Sequence, residues 1–140
     1  MEEIRHAAGI AQIGDFIDGL EDGYHTRVAQ GGNNFSGGQK QRLAIARALV
    51  KKPEIYIFDD SFSALDFKTD ARLRAALKEE TTHSAVILVA QRISTIMDAD
   101  QIVVLDEGRV AGIGTHKELM ESCTVYQQIA RSQLSEEELA

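Results

Sequence analysis

The sequence is short of the features that would place it outside the cell or inside a bilayer. It has one cysteine in 140 residues, Cys123. A lone cysteine allows no internal disulfide and suits a reducing compartment. No apolar run approaches the ~20 residues that span a bilayer; the longest is Ala85–Ala90. Glu2 and Glu3 follow Met1 directly, which is not a secretory signal pattern. Basic charge is scarce too. The formal net charge is −7, which weighs against a nucleic-acid surface and against adhesion to anionic lipid. There is no internal repeat and no low-complexity segment.

The rest of the composition is that of a folded domain. The chain is 44% hydrophobic and 26% charged, and 140 residues suffice to bury a core. Apolar spacing predicts a helix over Glu2–Gln12 and a short second one around Phe16, Ile17 and Leu20. Tyr24–Asn34 is rich in Gly and Asn and reads as loop. A helix from Gly37 to Val50 should bury Leu43, Ala46, Leu49 and Val50, with its basic residues on the solvated face. Ile55–Phe58 and Ala85–Ala90 read as buried strands flanking a helix over Lys68–Glu80, which should bury Leu73, Ala76 and Leu77. That order predicts a right-handed parallel crossover. Ser94 to Met97 should start a short helix. Ile102–Leu105 and Val110–Ile113 read as a hairpin. A capped helix from Thr115 to about Glu121, a last helix over Thr124–Gln133 and an acidic, frayed tail over Ser135–Ala140 complete the pattern.

Chemistry concentrates between Asn34 and Asp66. Ser36 is a good N-cap, and Gln39 three residues later completes a capping-box pattern. Gly37 and Gly38 have no Cβ, so a ligand can approach the backbone there. The amino end of the helix then offers N–H groups and positive potential to an anion such as phosphate. A helix that is merely well capped would look the same. Asp59 and Asp60 end a strand, the position at which open α/β sheets bind ligands. They suit a hydrated Mg²⁺, which takes few protein carboxylates. A solvated turn is the plain alternative.

The order Phe35-Ser36-Gly37-Gly38-Gln39, strand, Asp59-Asp60, Ser63-Ala64-Leu65-Asp66 resembles the ATP-binding cassette (ABC) ATPases. In that family's terms Phe35–Gln39 match the signature motif, with Phe for the usual Leu. Ile55–Asp59 match the Walker B strand, and Ser63–Asp66 the D-loop. Asp15-Phe16-Ile17 with Asp22-Gly23-Tyr24 is similar to the helical subdomain of ABC exporters. Thr26–Gly32 resembles the loop that touches the transmembrane partner, with Gln30 where exporters usually carry Glu.

The resemblance implies an α/β fold: an incomplete P-loop NTPase (RecA-like) core with parallel strands, a helical signature subdomain, and a C-terminal hairpin and helices. It implies a boundary near Pro53, with residues 1–52 as the helical subdomain and 53–140 as part of the ATPase core. ATP and Mg²⁺ are the implied ligands. Asp59 would hold the metal, Ser36, Gly37, Gly38, Gln39 and Asp66 would handle nucleotide, and Asp60 and Gln91 would occupy the catalytic positions.

Two departures stand out. Asp60 replaces the family's water-polarising glutamate and is one methylene shorter. A misplacement of order 1 Å can cost about 10²-fold in rate. Gln91 replaces the switch histidine and cannot take up or pass on a proton. Together they resemble the degenerate half of a heterodimeric exporter. There, this chain's signature would complete the partner's site.

No G-x-x-x-x-G-K-[ST] phosphate loop occurs in these residues. The resemblance therefore makes the chain the C-terminal portion of a nucleotide-binding domain, with no ATP turnover alone. Ile55–Phe58 should still pair with Ala85–Val89, while the hairpin keeps an unpaired edge. Marginal stability or association with another chain is expected. The implied partners are a second nucleotide-binding domain and an exporter's transmembrane domains, at the cytoplasmic face of the membrane. A regulatory module that holds nucleotide without hydrolysis, or a chromosome-maintenance ATPase, are the competing classes. The latter should carry a coiled-coil insertion before the signature, where this chain has a compact stretch.

Overall fold

A computed structural model describes residues 1–135, so most of the predicted acidic tail lies outside the described residues. The chain divides into two compact units, the first being Met1–Val89 and the second starting at Ala90.

The first unit packs helices against one face of a two-stranded sheet. α1 (Glu2–Ile10) stops because Gln12 turns left-handed at φ 56°. The Gln12 and Ile13 amides then donate back to the Gly9 and Ala8 carbonyls, at 3.0 and 2.9 Å. α2 (Gly14–Asp18) follows. The predicted loop beyond it contains two short 3₁₀ turns, Gly23–His25 and Gln30–Gly32.

α3 spans Gly37–Val50 as its pattern predicts. Its buried residues are Ile45, Ala46 and Leu49, while Val50 is exposed. The inward stripe is centred on the i, i+4 pair Ile45–Leu49, and Leu43 and Val50 fall to its flanks. Lys52, left-handed at φ 44°, and Pro53 close the helix.

β1 (Ile55–Asp59), α4 (Phe67–Glu80) and β2 (Ala85–Val89) follow, with β1 and β2 parallel and paired from Ile55↔Ala85 to Asp59↔Val89. Tyr56 and Phe58 point inward with their rings stacked at 5.8 Å, joined by Phe62, Leu73 and Leu77. The expectation of fully buried strands is corrected here. Ile57 is 67% exposed, and Ile55, Ile87 and Val89 are exposed with it. An apolar run marks a strand able to be covered on both faces; among the described residues of this unit only one face is covered.

The second unit is a hairpin on helices. α5 (Ile93–Ile96) leads into β3 (Ile102–Asp106) and β4 (Arg109–Gly114), antiparallel with a bulge at Val104/Leu105. The two-residue turn is Glu107-Gly108, both at positive φ, the conformation that matches strand twist. α6 (His116–Ser122) and α7 (Thr124–Gln133) bury Leu119, Tyr126 and Ala130 against Ile102 and Val104. A Cβ on Gly112 would sit 3.0 Å from Cys123 Sγ and Leu119 Cδ2, so glycine lets the hairpin lie flat on α6. β3 and β4 pair only with each other in their sheet.

Candidate functional site

The Ser36 turn is built as its sequence proposes. Ser36 is extended (φ −67°, ψ 164°) and caps α3. The Gln39 amide donates to Ser36 Oγ at 3.3 Å, and the Ser36 amide donates to Gln39 Oε1 at 2.8 Å. No acidic residue lies in the first turn, so the positive end of the helix has no internal counter-charge.

The chain leading into the turn is fixed by side chains. Asn34 Oδ1 accepts from the Ala29 amide and Asn34 Nδ2 donates to the Arg27 carbonyl, each at 3.1 Å. Lys40 Nζ reaches back to the Gly31 carbonyl at 3.0 Å, across the left-handed Gly31-Gly32 pair. Phe35 sets its ring edge-on to Phe16, 6.0 Å between centroids. This ring contact ties the start of the turn to α2.

The two glycines serve the chain itself. A Cβ on Gly38 would lie 3.0 Å from the Ala64 carbonyl oxygen, and one on Gly37 3.6 Å from Ala64 Cβ. The close approach that glycine permits is made here by the loop between β1 and α4.

That loop carries the acidic residues. Asp59 ends β1, and Asp60 turns left-handed at φ 49° while its amide donates to the Val89 carbonyl at 2.9 Å. Aspartate is among the few residues that tolerate this conformation. Both carboxyl-bearing residues are exposed. Among the described residues, no group of three or more His, Cys, Asp or Glu could hold a metal ion. An exposed aspartate pair nevertheless fits Mg²⁺, which keeps several waters and takes one or two carboxylates. Asp66 is engaged differently. It caps α4, with Oδ1 accepting from the Thr69 amide at 3.0 Å. Hydrogen bonds from the Thr69 side chain first, and from its amide second, hold the Asp66 carboxyl below the usual carboxylate range.

Sequence reasoning missed the residue that ties these parts together. Gln41, on α3, donates from Nε2 to the Asp60 carbonyl and to Ser63 Oγ, both at 3.0 Å. Its Oε1 accepts from the Ala64 amide at 3.0 Å. A glutamine on a helix face carries no signal of this in the sequence, because its partners lie 19 to 23 residues away. Arg42, read as part of the solvated face, donates instead to the Gln12 and Gly38 carbonyls.

Gln91 belongs to the second unit and is exposed. Its carbonyl accepts from Gln133 Nε2 at 2.8 Å, and Gln133 Oε1 accepts from the Ile93 amide at 2.9 Å. The last helix thus fixes the main chain on both sides of Arg92, a second role the sequence did not signal.

A parallel strand–helix–strand unit with carboxylates at a strand end, joined to a glycine-opened capped helix, is α/β architecture with its acidic pair where open sheets bind ligands. Residues 7–63 match the ABC transporter family model. An uncharacterized ABC transporter ATP-binding protein of Mycobacterium tuberculosis is 49% identical over 132 residues, 94% of this chain and 22% of that protein. The ATP-dependent lipid A-core flippase of Aliivibrio fischeri is 42% identical over 134 residues, 96% of this chain and 23% of that protein. A solved structure of a bacterial Atm1-family ABC exporter with ATP bound superposes with a TM-score of 0.91 at 43% identity, covering 96% of this chain and 24% of that one. The chain is similar to ABC transporter ATP-binding proteins, and its fold is that of part of an exporter nucleotide-binding domain. It spans under a quarter of the length of each of these relatives. No helix among the described residues is long and apolar enough to cross a membrane.

Proposed function

We propose that this chain works as part of the ATP-binding, ATP-hydrolysing motor of an ABC exporter and contributes to two different nucleotide sites. The observation that carries this reading is the Ser36 turn: a complete capping box with no acid in its first turn, so that N–H groups and positive potential are left for an anion. Ser36, Gly37, Gly38 and Gln39 would contact the nucleotide of a partner domain's site. Asp59 would hold Mg²⁺ at the chain's own site, where the ion would screen phosphate charge during phosphoryl transfer. Asp60 and Gln91 stand where the family has its water-polarising glutamate and switch histidine, and neither substitute supports fast hydrolysis. Asp66 would lie at the same interface. The motor is then asymmetric: a weak site on this chain's Walker B strand, and a good site completed by its signature.

On this reading the partners are a second, non-identical nucleotide-binding domain and the transmembrane domains of an exporter, at the cytoplasmic face of the membrane. Residues 1–52 act as the helical subdomain and 53–140 as part of the ATPase core. The exposed apolar faces of β1–β2 and of the hairpin (Val103, Leu105, Val110, Ile113) support marginal stability and association for the chain by itself. A cooperative, monomeric urea transition would count against that.

The test is ATP turnover with Mg²⁺, first by the chain alone and then mixed with an intact ABC nucleotide-binding domain that has a Walker B glutamate. No turnover alone, and Ser36-dependent turnover in the mixture, is the expected result. Turnover by the chain alone would overturn the reading. The identities of Asp60 and Gln91 also favour a second reading, a regulatory module that binds nucleotide without hydrolysis. Nucleotide binding without turnover in any mixture would select it.

A further inference from the structure

We infer that Gln41 is a positioning residue that links the two half-sites of this chain, so that nucleotide held at the Ser36 turn is felt at the Asp60 turn. This rests on the reading of Ser36–Gln39 as a nucleotide contact. One side-chain amide makes three hydrogen bonds to a single loop: to the Asp60 carbonyl, to Ser63 Oγ and from the Ala64 amide, each at 3.0 Å. Ser63 Oγ closes the triangle by donating to the Asp60 carbonyl at 3.1 Å. Gly38 brings the α3 backbone against the Ala64 carbonyl with no room for a Cβ.

The loop held in this way contains a left-handed residue. Asp60 sits at φ 49°, a conformation that aspartate tolerates and that hydrogen bonds fix here. Its amide is held by Val89 and its carbonyl by Gln41 and Ser63. A shift of the α3 amino end toward a bound phosphate therefore pulls on the Asp60 carbonyl through Gln41, two atoms along the chain from the Asp60 carboxylate. The same shift acts on the Ala64 amide. Coupling of this kind needs a physical connection, and the Gln41 hydrogen bonds to this loop supply it.

The experiment labels the 140-residue chain isotopically, mixes it with an intact ABC nucleotide-binding domain, adds Mg²⁺-ATP and follows backbone amide resonances. In the native sequence the amides of Gly37–Gln39 should respond to ATP, and those of Asp60 and Ala64 should respond with them. In Gln41→Ala the first set should still respond while the second loses its response by at least about fivefold, the low end of typical coupling factors. Gln41→Glu is the second variant. It keeps the acceptor for the Ala64 amide but sets a carboxylate oxygen against the Asp60 carbonyl, so Ala64 should still respond and Asp60 should not. A purely structural role for Gln41 would alter resting spectra without this split. Undiminished responses at Asp60 and Ala64 in both variants would overturn the inference and leave the function intact. Silence at Gly37–Gln39 in the native sequence would overturn the function and the inference with it.

Discussion

Two helices of this chain begin with the same device and end up in different electrical states. α3 opens with Ser36 and Gln39, α6 with Thr115 and Glu118, and both capping boxes are complete. In α6 the reciprocal side chain is a carboxylate. Glu118 Oε2 accepts from the Thr115 amide at 2.8 Å and its hydroxyl at 3.0 Å, so the helix carries its own anion. The Thr115 amide, then its hydroxyl, hold that carboxyl below its usual range. In α3 the reciprocal side chain is neutral and the first turn has no acid. The hydrogen bonds are equally satisfied, but only α3 keeps uncompensated positive potential. A cap that closes on itself stabilises a fold, whereas one that stays electrically open can also bind an anion.

The largest test separates the two caps by activity. Ser36→Ala should lower turnover in the mixture with an intact domain about 10²-fold, the usual loss when one donor to developing charge is removed. Thr115→Ala should leave turnover unchanged. Both should cost about 1 kcal/mol of stability in urea titration, the typical worth of an N-cap. Equal, small effects on turnover from both would erase the distinction.

The next sharpens what the glycines do. Gly38→Ala should destabilise by about 1–3 kcal/mol, the range for forcing a methyl into a packed site, because the Ala64 carbonyl oxygen lies 3.0 Å from the new Cβ. Gly37→Ala, with 3.6 Å of room, should be neutral or stabilising by up to about 1 kcal/mol through helix propensity. Denaturant midpoints of the two variants decide it.

These positions also mark where sequence stops being informative. The span of α3, the span of α7, the β1–β2 pairing, the hairpin and both capping boxes follow from signals a few residues apart, and the structure has them. The Asp59–Asp60 strand end and the Ser36 turn were legible for the same reason. Burial was less so. Ile55 and Ile57 look like core because the β-branched run says what the strand could bury, not what is there to cover it. Gln41 and Gln133 were invisible, since each acts on backbone far along the chain. Gly38 was legible as a place of close approach, but its neighbour, the Ala64 carbonyl, was not.

Swapping the reciprocal residues should interconvert the caps. Gln39→Glu gives α3 an internal anion and should stabilise the fold by roughly 0.3–1 kcal/mol while weakening nucleotide contact in the mixture. Glu118→Gln should cost a similar amount and leave turnover untouched. Stronger ATP-dependent turnover in Gln39→Glu would contradict the electrostatic argument.

The smallest expected effect is a pH dependence that the two caps should not share. Glu118, and Asp66 at the start of α4, have carboxyls held below their ordinary values in the folded chain. A depressed folded-state pKa means the unfolded chain binds the proton more tightly. These two groups therefore stabilise the fold fully above their unfolded values, about 3.9 for Asp and 4.3 for Glu. Their contribution is lost as pH falls through the lower folded-state values. Ser36 and Gln39 do not titrate, so the α3 cap has no such dependence of its own. In an acid titration followed by amide resonances, the Thr69 and Thr115 amides should shift together below about pH 4, while the Gln39 and Ser36 amides hold their positions until the whole chain unfolds. Glu118→Gln should abolish the Thr115 shift and leave that of Thr69. A Gln39 amide that moved in step with Thr115 would mean that α3 feels a titrating anion after all, and the contrast between the two helices would be one of degree.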